Sequence, residues 1–120
     1  IVLASESDFG AGRVWSLTSG TSEEGTAFLD EAQRIIAPLG IIRGDRANRG
    51  GGPDIIPLAM QGVPVFRLTQ DGTDYFDLHH TPDDTFDKID PDELAQNVAA
   101  WAAIVWLAAD SNVEFRTQDE

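Results

Sequence analysis

The protein has two histidines, and they are neighbours, His79-His80, in the run Tyr75-Phe76-Asp77-Leu78-His79-His80-Thr81-Pro82-Asp83-Asp84-Thr85. Asp77, Asp83 and Asp84 crowd around them. Imidazole nitrogen and carboxylate oxygen are the donors that zinc and similar ions take, so this local density points to a metal site. The same run also reads as a polar loop entering a helix cap, and its composition does not separate the two. A second acidic pair, Glu6 and Asp8, follows the apolar run Ile1-Val2-Leu3-Ala4. Functional groups of open α/β sheets collect beyond the carboxyl ends of strands, which singles out Asp8, although a turn or capping acid fits the position too.

Asp8 and His80 therefore form the pair to bring together. If their two segments lie side by side they make half of a metal site, since a catalytic zinc takes three protein ligands and a water. Asp84 or Asp77 would stand behind His80 and orient its ring through the other nitrogen. Other chemistries fit less well. The chain has no cysteine, which excludes disulfides and thiolate ligands. A Ser7-His80-Asp84 triad lacks the Gly-x-Ser-x-Gly elbow. Asp71-Gly72-Thr73-Asp74 lacks the acid spacing and closing Glu of a calcium loop. The glycines at 50–52 lack the Lys-Ser/Thr ending of a phosphate loop.

These groups need elements to hold them. Residues 1–5 read as a buried strand, and residues 10–20 as a loop anchored by Trp15. Ser22-Glu23-Glu24 opens a helix with apolar residues at 28, 32, 35, 36 and 39, stopped by Pro38 and Gly40. Residues 39–42 lead into a short strand, followed by a glycine- and arginine-rich loop over 44–52. Asp54 begins a short helix that Gly62 ends, and residues 63–68 alternate as a strand. Residues 75–79 read as an extended segment. Asp90-Pro91-Asp92-Glu93 is an Asp form of the capping box. The helix it opens runs to about residue 109, with Leu94, Val98, Trp101, Val105 and Ala108 as its sheet-facing stripe. Strands alternating with helices indicate an α/β layered domain.

Composition sets the outer bounds. With 120 residues and 42% hydrophobic content, the chain is one globular domain or a piece of one. A net charge of -13, from 21 acids against eight bases, argues against nucleic acid as a partner. No stretch reaches the ~18 apolar residues of a membrane span. The sequence opens inside an apparent strand, so a C-terminal portion of a longer protein is expected. Loss of neighbouring strands would leave unpaired backbone, and self-association through exposed sheet edges is expected for that reason.

Several short motifs occur in one order: Glu6-Ser7-Asp8-x-Gly10, Gly51-Gly52-x-Asp54-Ile55, Gly62-Val63-Pro64, and Tyr75-Phe76-x-x-His79-His80-Thr81-x-Asp83-Asp84-Thr85. With the closing alanine-rich helix, they resemble the C-terminal part of the zinc-dependent exopeptidases of metallopeptidase family twenty-eight. The nearest branch in character is the one that includes plasma glutamate carboxypeptidase and bacterial aminopeptidases. The resemblance spans nearly the whole chain. It implies the three-layer α/β/α sandwich of the zinc exopeptidases, here as its C-terminal portion over residues 1–120.

The resemblance also implies two zinc ions bridged by an Asp and a water, with a terminal peptide bond as substrate. Asp8 would bind one zinc, and His80 rather than His79 the other. Tyr75 would approach the substrate or its oxyanion, while Asp54 and Asp84 would be supporting residues. The family's bridging His-x-Asp and its Glu-Glu pair, general base included, have no counterpart here, since Glu23-Glu24 follows the Asp8 segment. The fragment alone is therefore expected to be inactive, and its parent secreted or periplasmic. A binding scaffold that has lost its metals is the alternative that the same resemblance leaves.

Overall fold

The computed structural model describes residues 1–44 and 51–116. The middle of its sheet is a strand, β1 (Val14–Gly20), in the stretch that reads as a loop. Val, Trp, Leu and Thr suit a pleated surface, but two features hide the pattern. Ser16 and Ser19 occupy buried positions, and the register shifts between Val14 and Ser16. Such a bulge breaks the period of two. Trp15, the expected anchor, is exposed.

Strand β2 (Ile42–Arg43) pairs with β1 in parallel, and β3 (Val65–Gln70) pairs antiparallel on the other side. The order is β2-β1-β3. The strand expected over residues 1–5 reduces to one parallel bridge from Ala4 to Val65. Ala4 donates its N–H to Pro64 O at 2.9 Å and accepts from Phe66 N at 3.0 Å, while Ile1 and Val2 are exposed. This segment has a neighbour on one side only among the described residues, so nothing extends the ladder.

Helix α1 (Glu23–Ile36) starts where Ser22 Oγ accepts from Gly25 N at 3.0 Å. It buries Leu29, Ala32 and Ile36, while Ile35 from the expected stripe faces solvent. Residues Ala37–Leu39 form a 3-10 turn, and Gly40 ends it at φ 83°, a left-handed position that glycine takes without steric cost. The loop expected over 44–52 lies mostly outside the described residues. Beyond it come the short α2 (Ile56–Ala59) and, after β3, a single helical turn, α3 (Tyr75–Leu78), where an extended segment is expected.

Helix α4 (Pro91–Asp110) begins as its sequence indicates, with Asp90 Oδ1 accepting from Asp92 N at 2.8 Å and Glu93 N at 3.1 Å. Its sheet-facing side departs from the expected stripe, of which Trp101 packs against the core on Phe66. Gln96, Asn97, Ala100 and Ile104 are buried, whereas Leu94, Val98, Val105 and Trp106 are exposed. The physical reason is hydrogen bonding. Gln96 Oε1 accepts from Val14 N at 2.9 Å, and its Nε2 donates to Val14 O at 2.8 Å and Leu39 O at 3.1 Å. Asn97 Nδ2 donates to Gly12 O at 2.9 Å. Polar side chains thus face the sheet because the sheet offers them backbone partners.

Phe66 and Leu68 join Val14, Leu17, Leu29, Ile36, Ala100 and Ile104 in the main core under α1 and α4. Val65, pointing the other way in the pleat, clusters instead with Ala4 and Val63 against Ile55, Leu58 and Ala59 of the α2 region. Helical segments on both faces of the sheet give the expected α/β/α layering in small form. No helix among the described residues is long and apolar enough to cross a membrane.

Gln96→Ala should cost on the order of 3 kcal/mol, because it strands the buried N–H and C=O of Val14. Urea denaturation would measure it, and a change below about 0.5 kcal/mol would deny Gln96 that role.

Candidate functional site

The site grows from the end of β3. Gln70, buried and paired with Val14 across the sheet, donates its Nε2 to Ser7 Oγ at 2.7 Å and to Gly10 O at 3.0 Å. These bonds clasp the segment 7–10 on both sides of Asp8 and Phe9. Asp71 N then donates to Arg13 O at 2.8 Å, which closes the turn beyond the strand. Within that turn Asp71 Oδ1 accepts from the Thr73 hydroxyl at 2.6 Å and from Thr73 N at 3.0 Å. Those donors, the hydroxyl first, hold the Asp71 carboxyl below its ordinary value. The turn therefore stays clamped above that range and loosens only as pH falls through the lowered value.

The turn leads directly into α3, whose helical form has a consequence for the site. Residues four apart on a helix share a face, and Tyr75 and His79 stack with ring centroids 4.5 Å apart. Phe9 stacks on Tyr75 at 4.4 Å, and His79 on His80 at 3.8 Å. Four rings thus run from the neighbour of Asp8 to His80 itself.

His80 has an unusual backbone. His79 has φ -49° and ψ 122°, His80 has φ 58°, and Thr81 N donates to Leu78 O at 2.9 Å. This is a type II turn with His80 where glycine or asparagine normally sits. The Thr81 hydroxyl donates to the same Leu78 O at 2.7 Å and locks the turn. His80 is the one positive-φ non-glycine residue among the described residues. Such strain concentrates at functional positions.

The acidic side is organised by Glu6 rather than by Asp54. Glu6 Oε2 accepts from Asp54 N at 2.9 Å and Ile55 N at 3.2 Å, and its Oε1 is buried without a hydrogen-bond partner among the described residues. Asp54 contributes its backbone N–H, while its carboxylate makes no hydrogen bond among the described residues. A Cβ at Gly52 would lie 2.5 to 2.7 Å from the Glu6 carboxylate, so glycine is what admits that contact.

Two clefts border the ring column. A smaller one, of about 200 Å³, is lined by Glu6, Asp8, Gly52, Arg67, Gln70 and Tyr75. A larger one, of about 410 Å³, has Tyr75, His79 and Asp84 among its walls. Tyr75 therefore stands on both. Asp84 shares a cleft with His79, but neither it nor Asp77 hydrogen-bonds a histidine ring, so the expected orienting contact is not formed.

Asp8 and His80 suit a cation in donor type, and both are exposed. Neither side chain makes a hydrogen bond or ion pair within the described residues. No group of three His, Asp or Glu among those residues is placed to hold a metal. The pair fits as one donor each and falls short of a complete site. Phe9, Glu6 and Gln70 carry structural weight that their sequence positions do not announce. Gln70 alone had a legible signal, as a polar residue on the buried parity of β3.

The model of peptidase family M28 matches residues 8–105. Human carboxypeptidase Q is 32% identical over 108 residues, which cover 90% of this chain and 22% of that protein. Carboxypeptidase Q of Xenopus laevis is 28% identical over 110 residues, covering 92% and 23%. The crystal structure of a peptidase M28 precursor from Shewanella amazonensis SB2B superposes with a TM-score of 0.88 at 45% identity, over 98% of this chain and 26% of that one. The chain thus spans about a quarter of the length of these relatives.

Because Glu6 and Gly52 meet, their substitutions should not add. Gly52→Ala should cost about as much as Glu6→Ala, some 1–3 kcal/mol, by displacing the carboxylate from its two N–H donors. The double variant should cost little more than either single one. Additive losses in a denaturation cycle would show that the two residues act separately.

Proposed function

The chain belongs to peptidase family M28, and on that premise we propose that its parent protein is a two-zinc exopeptidase that hydrolyses terminal peptide bonds. The observation that carries this reading is the ring column that runs from Phe9, next to Asp8, to His80, with neither the Asp8 nor the His80 side chain in a hydrogen bond or ion pair among the described residues. Asp8 supplies an anionic oxygen and His80 a neutral nitrogen, one to each metal. Two bound zinc ions would supply the charge that lowers the pKa of a shared water and polarises the peptide carbonyl.

The remaining residues act by placement. Tyr75, on both clefts, can present its hydroxyl to the carbonyl oxygen as negative charge develops there. Gln70 fixes the backbone on both sides of Asp8, and Glu6 holds the Gly52–Ile55 turn against the same cleft. The bridging carboxylate and the general base belong to the rest of the parent protein, so the isolated chain should not turn over peptides. Carboxypeptidase Q, the name of the curated relatives, favours a carboxypeptidase or dipeptidase over an aminopeptidase. The second reading is a metal-free binding scaffold of the same fold.

The decisive variants are Asp8→Asn and His80→Gly in the intact protein. Glycine suits the left-handed turn, so His80→Gly should keep wild-type stability or exceed it. Each variant should lose more than about 100-fold in peptidase activity, beyond what removing a residue behind a ligand costs. Wild-type protein that binds no zinc and cleaves no di- or tripeptide would leave the scaffold reading standing.

The isolated 120-residue chain should self-associate through the open margin at Ala4 and the outward face of α4, where Val98 is 60% and Trp106 73% exposed. Sedimentation should find dimers or larger species, and Val98→Glu with Val105→Glu should shift them toward monomer. A monomeric wild-type chain at high concentration would contradict this.

A further inference from the structure

We propose that Phe9 is a positioning residue, which sets the placement of Asp8 relative to His80 through the stacked column Phe9–Tyr75–His79–His80. The inference rests on reading Asp8 and His80 as metal ligands, and it adds a residue that cannot itself bind metal. A metal site needs its donors fixed before the ion arrives, and that is usually done by hydrogen bonds behind the ligands. Here neither Asp8 nor His80 has such a bond among the described residues. Hydrogen bonds fix only the backbone beside them, and ring contact supplies the link between the two.

The segment 72–76 is shaped around the Phe9 ring. Tyr75 stacks on it at 4.4 Å with an interplanar angle of 20°, and Phe76 meets it edge-on at 6.2 Å. Gly72 is glycine because a Cβ there would overlap Phe9 Cε1. Gly10, at φ 79°, turns the backbone away directly after Phe9, and a Cβ on it would reach Tyr75 Cδ2 at 3.5 Å. The turn that carries Gly72 is the one clamped by Asp71 and Thr73. Phe9 is half-buried in these contacts, unlike Phe76 and Phe86, which are 76% and 84% exposed.

The column also reaches the strained residue. His79 and His80 are the two central residues of their turn, and their rings stack at 3.8 Å. Holding His79 against Tyr75 therefore biases the rotamer of His80. A shift of Phe9 would pass to Tyr75, then His79, then His80, while moving the backbone of Asp8 in the same step.

The test uses the intact protein stripped of metal by chelator, then titrated with zinc alone, for wild type, Phe9→Leu and Phe9→Tyr. Leucine fills the space without a ring, whereas tyrosine keeps the ring. Phe9→Leu should lower zinc affinity about 10–100-fold, and Phe9→Tyr should retain it. In the metal-free protein with 13C-labelled histidine, the ring signals of His79 and His80 should move in Phe9→Leu and stay in Phe9→Tyr. A folded Phe9→Leu with wild-type zinc affinity, or with unmoved histidine signals, would overturn the proposal. Should Phe9→Leu not fold, Gly72→Ala displaces the ring without deleting it and is read in the same two ways. A wild-type protein that takes up no zinc defeats the peptidase reading instead, and the histidine signals then decide the column on their own.

Discussion

The pairing of Val14 is the constraint from which the rest of this structure follows. At the start of β1 the register breaks, and a broken register leaves backbone groups without strand partners. Gln96 reaches down from α4 and satisfies both the N–H and the C=O of that residue. On the sheet side, Val14 stands opposite Gln70. Two glutamine amides therefore act at one level of the sheet. One fixes the long helix to the central strand, and the other reaches beyond β3 to clasp Ser7 and Gly10. The proposed ligand Asp8 and the ring of Phe9 lie between those clasped residues, so their placement inherits the helix-to-sheet register.

Around this line the site is built from backbone conformations and ring contacts more than from charge. Asp8 has no protein counter-ion among the described residues, and the surface carries a large excess of acid. An unpaired carboxylate at an exposed strand end costs little in water. It is also free to meet a cation. Glu6 behaves differently although it lies two residues away, because its carboxylate is consumed by the N–H groups of Asp54 and Ile55. One acid of the pair builds the wall and the other is left open. The histidine pair divides in the same manner, with His79 packed against Tyr75 and His80 exposed in a left-handed turn.

The sequence discloses most where structure is decided locally. Ser22 and Asp90 cap their helices as their neighbours indicate, and Gly40 ends the 3-10 turn that follows α1, because caps and left-handed stops depend on a few adjacent residues. Strand β1 is hidden by the serines at its buried positions and by the bulge. Residues 75–79 look extended because Tyr and Phe favour strands, yet the clamped turn before them starts a helical turn. That misreading also conceals the Tyr75–His79 stack, since four-residue spacing shares a face only in a helix. The donor types of Asp8 and His80 are legible from chemistry alone. Their connection through Phe9 is not, because it exists only once β3 and the 7–10 segment have met.

The long helix shows why pattern alone chose the wrong face. α4 is apolar nearly all round, and a helix of that kind belongs inside a core rather than on a surface. One side meets the sheet through Gln96, Asn97, Ala100 and Ile104. Its outward Leu94, Val98 and Val105 line a groove of about 560 Å³ with Trp101, Ser5 and Gln70. Ser5 Oγ and Trp101 Nε1, both on that groove, are buried without hydrogen-bond partners among the described residues. Buried polar groups in native proteins are nearly always satisfied, so a pair of unsatisfied atoms beside an exposed apolar stripe has the chemistry of a half-built core. Of the stripe that periodicity identifies, Trp101 packs on Phe66 and Leu94, Val98 and Val105 are exposed. Two polar residues take the inner position because backbone groups of Gly12, Val14 and Leu39 required them.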